Sequence, residues 1–184
     1  MSRRSSLVLA SRSPQRRAIL EQLGIAFDVV PADVEEEHDG DPADVVTRNA
    51  LRKAQAASGE TVLGVDTEVY LDGRLFGKPA DAARARGFLE QLSGRTHEVF
   101  SGVALIHEGA VQTGVARTEV TFRRLDAALI EWYLESGEWE GRAGGYAVQG
   151  RGSALIQGIA GDYWNVVGLP VPLLLDLAPW LLLD

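Results

Sequence analysis

The sequence predicts an α/β fold, a mixed, twisted sheet with flanking helices, formed by a single domain over residues 1–184. Three observations carry that expectation. The first thirty residues read as strand, helix and strand, the start of an α/β unit. Further on, Asp72-Gly73 and Glu108-Gly109 each join two strand-like stretches, so the sheet is mixed rather than purely parallel. A chain of 184 residues, 46% hydrophobic and 24% charged, is also ordinary for a globular protein. At that length it buries roughly 70% of the surface exposed when unfolded, enough for a core without staples.

The elements follow in order. Ser6–Ser11 (S-L-V-L-A-S) is a short apolar run that reads as a buried strand. Ser13 suits an N-cap, Pro14 the first helical position and Gly24 the C-terminal cap, with Ile19, Leu20 and Leu23 as the apolar side. Ala26–Val30 is a second strand. After the acidic segment Asp33–Asp41, a helix begins near Pro42 and runs through Val45, Val46, Ala50, Leu51 and Ala54 to about Ser58-Gly59. Thr61–Leu71 is a β-branched strand, and Asp72-Gly73, the strongest hairpin signal in the chain, turns it into the return arm R-L-F-G. Asp81 opens a helix to about Leu92, stopped by Ser93-Gly94. Thr96–His107 and Ala110–Phe122 read as strands, and Asp126–Ser136 as a helix ending at Gly137. Gly141–Gly152 is a glycine-rich loop or strand, and Ser153–Val167 alternates as a further strand. Leu169–Leu183, interrupted by Pro170, Pro172 and Pro179, closes the fold as a docked helix. There is no internal repeat, low-complexity tract or interdomain linker.

Composition removes several classes of function. Without cysteine there is no disulfide, thiolate metal site or cysteine nucleophile. A net charge of −8 argues against binding a nucleic-acid polymer, though not against a small polyanion met by local cations or a metal. No run approaches the roughly 18 to 20 apolar residues that span a bilayer, and Leu7–Ala10 is too short for a signal peptide. The sequence carries no G-x-x-x-x-G-K-[ST], G-x-G-x-x-G or G-x-S-x-G motif.

Five segments carry chemistry. In Ser11–Arg17, a helix N-terminus offers free N–H groups to an anion, and Arg16 and Arg17 stand where cations oppose the helix dipole. A bound phosphate resolves that conflict; an ordinary capped helix with two solvent-facing arginines is the alternative. In Val65-Asp66-Thr67, a carboxylate within or at the end of a strand calls for a metal or catalytic water if buried, and for bulk water if it lies at the strand end. Lys78, in Gly77-Lys78-Pro79, offers a point charge to phosphate or simply marks a surface turn, and Lys53 on the second helix is a weaker candidate of the same kind. The segment Asp33–Asp41 holds oxygen ligands of the sort Mg²⁺ takes, or is a solvated loop. In Gly141–Gly150, Gln149 bears a donor and an acceptor that match the N3–H and O4 edge of uracil or thymine; a turn between core strands is the alternative. His38, His97 and His107 lack metal-ligand spacing and read as surface or strand-edge residues.

Taken in order, L-A-S-R-S-P-Q-R-R-A-I-L, V-D-T, F-G-K-P, L-S-G-R-T-H-E-V, A-G-G-Y-A-V-Q-G and N-V-V-G-L-P resemble the Maf family of nucleotide pyrophosphatases, from about Leu7 to the C-terminal helix. The resemblance implies a deep cleft in an α/β fold similar to that of inosine triphosphate pyrophosphatases. It implies hydrolysis of a nucleoside triphosphate to monophosphate and pyrophosphate with a divalent metal cation, Mg²⁺ or Mn²⁺, in the cytoplasm. Nucleotide-pool housekeeping is the implied role, and a homodimer fits the family.

Carried over by position, Asp66 matches the family's catalytic Asp, acting as general base, with Glu36 and Asp66 as metal candidates. Ser11, Arg16, Glu36, Lys53 and Lys78 match the polar and charged residues that hold the triphosphate. Gln15, Thr67 and Gln149 stand at three positions linked to substrate choice. Thr67 and Gln149 resemble the dTTP/UTP branch, whereas the branch acting on 7-methyl-GTP has Gln and Glu there. Gln15 departs from the family's S-P-R-R. A nucleotide-binding regulator of cell division acting through a protein partner is the alternative of a different class.

Overall fold

The computed structural model describes residues 7–182. Ser6 of the expected first strand and Leu183 of the expected last helix therefore lie outside the described residues. The strands are β1 (Leu7–Leu9), β2 (Phe27–Val29), β3 (Thr61–Leu71), β4 (Arg74–Phe76), β5 (Thr96–His107), β6 (Ala110–Phe122) and β7 (Ile156–Ala160). The helices are α1 (Pro14–Gln22), α2 (Pro42–Gln55), α3 (Ala82–Leu92), α4 (Ala127–Leu134), α5 (Tyr163–Val167) and α6 (Val171–Leu177).

The seven strands form one mixed sheet in the order β2-β1-β3-β5-β6-β7, with β4 also paired to β3. β1 runs parallel to both neighbours, while β3, β5, β6 and β7 pair antiparallel. The long strands keep the bounds that their β-branched runs predict. At both hairpins the turn residues take positive φ, 51° and 80° at Asp72-Gly73 and 49° and 81° at Glu108-Gly109. Those values belong to the type I′ turn, whose twist matches its strands. Side-chain caps start the helices where expected: Ser13 accepts from the Arg16 N–H, Asp81 from that of Arg84 and Asp126 from that of Leu129.

Three predicted elements differ. Gly141–Gly152 is neither a strand nor a plain loop but contains the single 3₁₀ turn Ala143–Gly145 and the start of a second, Gly150–Leu155. Only Ile156–Ala160 of the expected strand Ser153–Val167 is extended. Gly161 turns the chain at φ 125°, and Asp162 caps α5 by accepting the Trp164 N–H, a helix start hidden inside an alternating pattern. The C-terminal run is α6 followed by the 3₁₀ turn Pro179–Leu182, because Pro179 cannot continue the helix.

Strand alternation sends the odd and even residues of β3 to opposite faces. On the odd face, Leu63 and Val65 join an apolar cluster with Ile19, Leu20, Leu169 and Leu174, under α1 and α6. Val69 and Leu71 join another with Phe88, Leu89, Ile130 and Tyr133, under α3 and α4. Thr67 stands between the two. On the even face, Val62 and Ala104 pack against Ala50 and Ala54 of α2. That helix lies directly on the sheet. A Cβ at Gly64 would come within 2.1 Å of the Ala50 carbonyl oxygen, and one at Gly102 within 2.2 Å of that of Val46.

Candidate active site

The site sits at a break in the sheet. On one edge of β3, β1 pairs with Thr61–Leu63 and β4 with Val69–Leu71, so residues 64–68 have no strand partner on that side. The opposite edge is paired with β5 throughout Thr61–Tyr70. Asp66 and Thr67, adjacent on the chain, therefore flank the uncovered edge from opposite faces, just past the C-terminal end of β1, where open α/β sheets place their ligands. A cleft of about 450 Å³ opens there. Ser11, Gln15, Arg16, Glu36, Lys53, Asp66, Thr67, Lys78 and Gln149, the nine residues singled out in the sequence, all line it.

At its floor Asp66 is 3% exposed, inside a strand rather than at its end. Its Oδ1 meets Lys53 Nζ at 2.6 Å, and its Oδ2 accepts from the Asn49 side-chain amide at 2.9 Å. Lys53 Nζ also lies 2.9 Å from Glu36 Oε1, so one buried ammonium joins two carboxylates. Asn49 and Lys53 are one helical turn apart on α2, the face that Gly64 and Gly102 allow onto the sheet. Asn49 also binds the segment carrying Glu36: its Oδ1 accepts from the Glu37 N–H at 2.8 Å and its amide donates to the Glu37 carbonyl at 2.9 Å.

Arg16 lines the cleft and does not face solvent as an ordinary capped helix would have it. It is turned inward and buried, with Nε donating to the Gly168 carbonyl at 2.9 Å, Nη1 to Ser11 Oγ at 2.9 Å and Nη2 to Thr67 Oγ1 at 3.2 Å. Burial lowers its pKa while Asp66 and Glu36 raise it. A carbonyl and the site's own carboxylates thus offset its charge before any anion arrives, and only Arg17 faces solvent. Thr67 Oγ1 also shares a hydrogen bond of 2.8 Å with Ser101 Oγ of β5.

Three functional neighbours were not singled out in the sequence. Asn49 read as one more polar residue on an amphipathic helix. Glu68, two residues beyond Asp66 and on the same face, is 2% exposed, and its Oε2 has no hydrogen-bond partner. Burial and the charges of Asp66 and Glu36 push its carboxyl up to about 8. The signal was D-x-E within a hydrophobic strand, which puts both carboxylates on one side. His97, expected at the surface or a strand edge, is fully buried, and its Nε2 lies 2.8 Å from the hydroxyl of Tyr146, a residue of the cleft wall. Burial lowers its pKa to about 4. The motif T-H-E-V, alternating along β5, was the available clue. His38 is exposed but reaches Glu68 Oε1 at 3.3 Å, and His107 lies against Trp180.

Among the described residues no helix is long and apolar enough to cross a membrane. The sequence model of the Maf-like protein family matches residues 6–179. The dTTP/UTP pyrophosphatase of Symbiobacterium thermophilum is 48% identical over 171 residues, covering 90% of this chain and 88% of the relative. That of Anaeromyxobacter dehalogenans is also 48% identical, with the same coverage. Among solved structures, the Ham1 protein of Staphylococcus aureus superposes with a TM-score of 0.47 at 16% identity, over 64% of this chain and 71% of that one.

Proposed function

This chain belongs to the Maf-like protein family, and on that premise we propose that it hydrolyses dTTP and UTP to the nucleoside monophosphate and pyrophosphate. The observation that supports this most is that the nine residues matching the family's site positions all line one cleft, whose floor is the Glu36–Lys53–Asp66 ion-paired set. Water attacks the α-phosphorus, the bond from that phosphorus to the bridging oxygen breaks, and pyrophosphate leaves with the electron pair. Asp66 takes the water's proton. Each of its oxygens has a second lone pair beyond those engaged by Lys53 and Asn49, so it accepts from water without giving up either partner. Lys78, Ser11 and the remaining N–H groups of Arg16 hold the phosphates, and Lys53 keeps the carboxylates paired as negative charge approaches.

A divalent cation suits these donors. Glu36 and Asp66 are hard oxygen donors brought together around the Lys53 ammonium, and Glu68 adds a buried oxygen without a partner. Among the described residues no three His, Cys, Asp or Glu could hold an ion by themselves. Glu36 and Asp66 would therefore hold it jointly with substrate phosphates, the usual arrangement for Mg²⁺. When bound, the ion would offset phosphate charge and polarise a phosphoryl oxygen. Gln149 reads the N3–H and O4 edge of the base, and Thr67, fixed by Arg16 and Ser101, lines the same cleft.

The test is a panel of ribo- and deoxyribonucleoside triphosphates, 7-methyl-GTP included, with Mg²⁺ or Mn²⁺ and with chelator. Pyrophosphate release is expected to be fastest from dTTP and UTP and lost with chelator. A preference for 7-methyl-GTP, or full activity in chelator, would overturn the corresponding part.

A further inference from the structure

Gln149 stands exposed on the segment 147–152, and among the described residues its side-chain amide makes no hydrogen bond to the protein. A free amide discriminates poorly. Its reach to a base edge is set by where the backbone holds it, so whatever discrimination it supplies is lost when that backbone shifts.

What fixes it comes from α4 and the turn that follows. Tyr133, on the last turn of α4, is fully buried, and its hydroxyl accepts the Ala147 N–H at 3.0 Å. Glu138 accepts at both oxygens, from the Arg151 N–H at 2.9 Å and the Gly152 N–H at 3.1 Å. The two anchors are joined to each other: Ser136 Oγ donates to the Tyr133 carbonyl at 2.6 Å and accepts the Glu138 N–H at 3.1 Å. The segment fits closely against them. Gly150 holds φ 64°, and a Cβ there would lie 2.5 Å from Glu138 Oε1; a Cβ at Gly152 would lie 1.7 Å from the Ala147 carbonyl oxygen. Backbone N–H groups on both sides of Gln149 are thus held by one small unit outside the cleft. Neither Tyr133 nor Glu138 lines it.

We infer that Tyr133 and Glu138 are positioning residues for nucleobase selection, clamping the backbone on either side of Gln149 so that its amide is held within reach of the base edge. This rests on the reading of Gln149 as the group that meets the base. The clamp acts on KM and on the choice between UTP and CTP, and leaves the chemistry at Asp66 alone.

The experiment measures kcat and KM for UTP and CTP with Tyr133→Phe, Glu138→Ala, Glu138→Gln and Gln149→Ala, with hydrogen exchange at the amides of Ala147, Arg151 and Gly152. Because each ratio comes from a single preparation, any unfolded fraction cancels. Losing one anchoring hydrogen bond is expected to cut the UTP:CTP ratio of kcat/KM about tenfold. KM for UTP should rise, kcat should stay within about threefold, and the amide released should exchange faster. Glu138→Gln, which keeps one acceptor, should restore part of the ratio. A ratio changed in Gln149→Ala but not in the clamp variants would overturn the clamp alone. A ratio unchanged in Gln149→Ala would remove base reading by that residue, and the clamp's role with it. Should wild-type protein leave UTP intact, the hydrolytic reading fails, and calorimetric affinities for UTP and CTP across the same variants decide the clamp.

Discussion

At one end of the cleft Asp66, Lys53 and Glu36 hold one another through charged side chains; at the other, Gln149 stands on a glycine-rich segment tied down through its backbone N–H groups. The charged end is built on the long strand β3 and on α2, packed so closely on the sheet that two glycines are required beneath it. Removing Lys53 there strands the buried Asp66 carboxylate, which is expensive. The base end is held by hydrogen bonds worth about 1 kcal/mol apiece, so its geometry can be retuned without unfolding the domain. On the proposed function, the difference places the chemistry on rigid elements and the selectivity on a segment whose supports are individually weak.

The largest expected effect is at the charged end. Asp66→Asn keeps the shape and the Asn49 contact but removes the base, so kcat should fall by about 10³-fold, within the usual range for a general base. UTP affinity measured by calorimetry should change little. An active Asp66→Asn enzyme would dissolve the contrast between the two ends. Lys53→Met leaves Glu36 and Asp66 without their shared cation. Urea denaturation should show a loss of about 3–5 kcal/mol, and a loss below about 1 kcal/mol would mean that solvent already screens the pair.

Local signals made only part of the charged end legible, and the resemblance, not the local pattern, singled out Glu36 and Lys53 beside Asp66. V-D-T places a carboxylate in a β-branched strand, and the hairpin and cap signals fixed the bounds of β3 and its neighbours. Its partners were harder to read. Asn49 and Lys53 matter only because α2 lies across β3 at Gly64 and across β5 at Gly102, and no local pattern states which helix meets which strand. Arg16 looked like a cation awaiting an anion because the carbonyl it binds, that of Gly168, is 152 positions away. The base end was legible as a glycine-rich segment carrying a glutamine, but its 3₁₀ turns and anchors were not. Tyr133 and Glu138 reach it from another element, and the cap at Asp162 lay inside what alternation alone made a strand.

Two smaller effects sharpen the base end. His97 holds the Tyr146 hydroxyl, and burial lowers its pKa from 6.5 to about 4. A depressed histidine contributes stability that is full above its unfolded pKa and drains away as pH falls through 6.5 toward 4, since the unfolded chain then binds a proton that the folded one refuses. From pH 7 to pH 5, wild type should lose about 2 kcal/mol more than His97→Phe, read from denaturation curves. Equal losses would mean that His97 is protonated in the fold. Gln149→Glu, which replaces the amide donor by an acceptor, should cost about tenfold in kcat/KM for UTP while improving guanine nucleotides. No change in preference would detach that position from the base.

The most direct measurement follows UTP hydrolysis in ¹⁸O-labelled water by ³¹P resonance. Attack at the α-phosphorus puts the label in UMP and leaves pyrophosphate unlabelled, the outcome expected of a cleft with Asp66 at its floor and the leaving group held by Lys78. Release of orthophosphate, or label in the pyrophosphate, would contradict it.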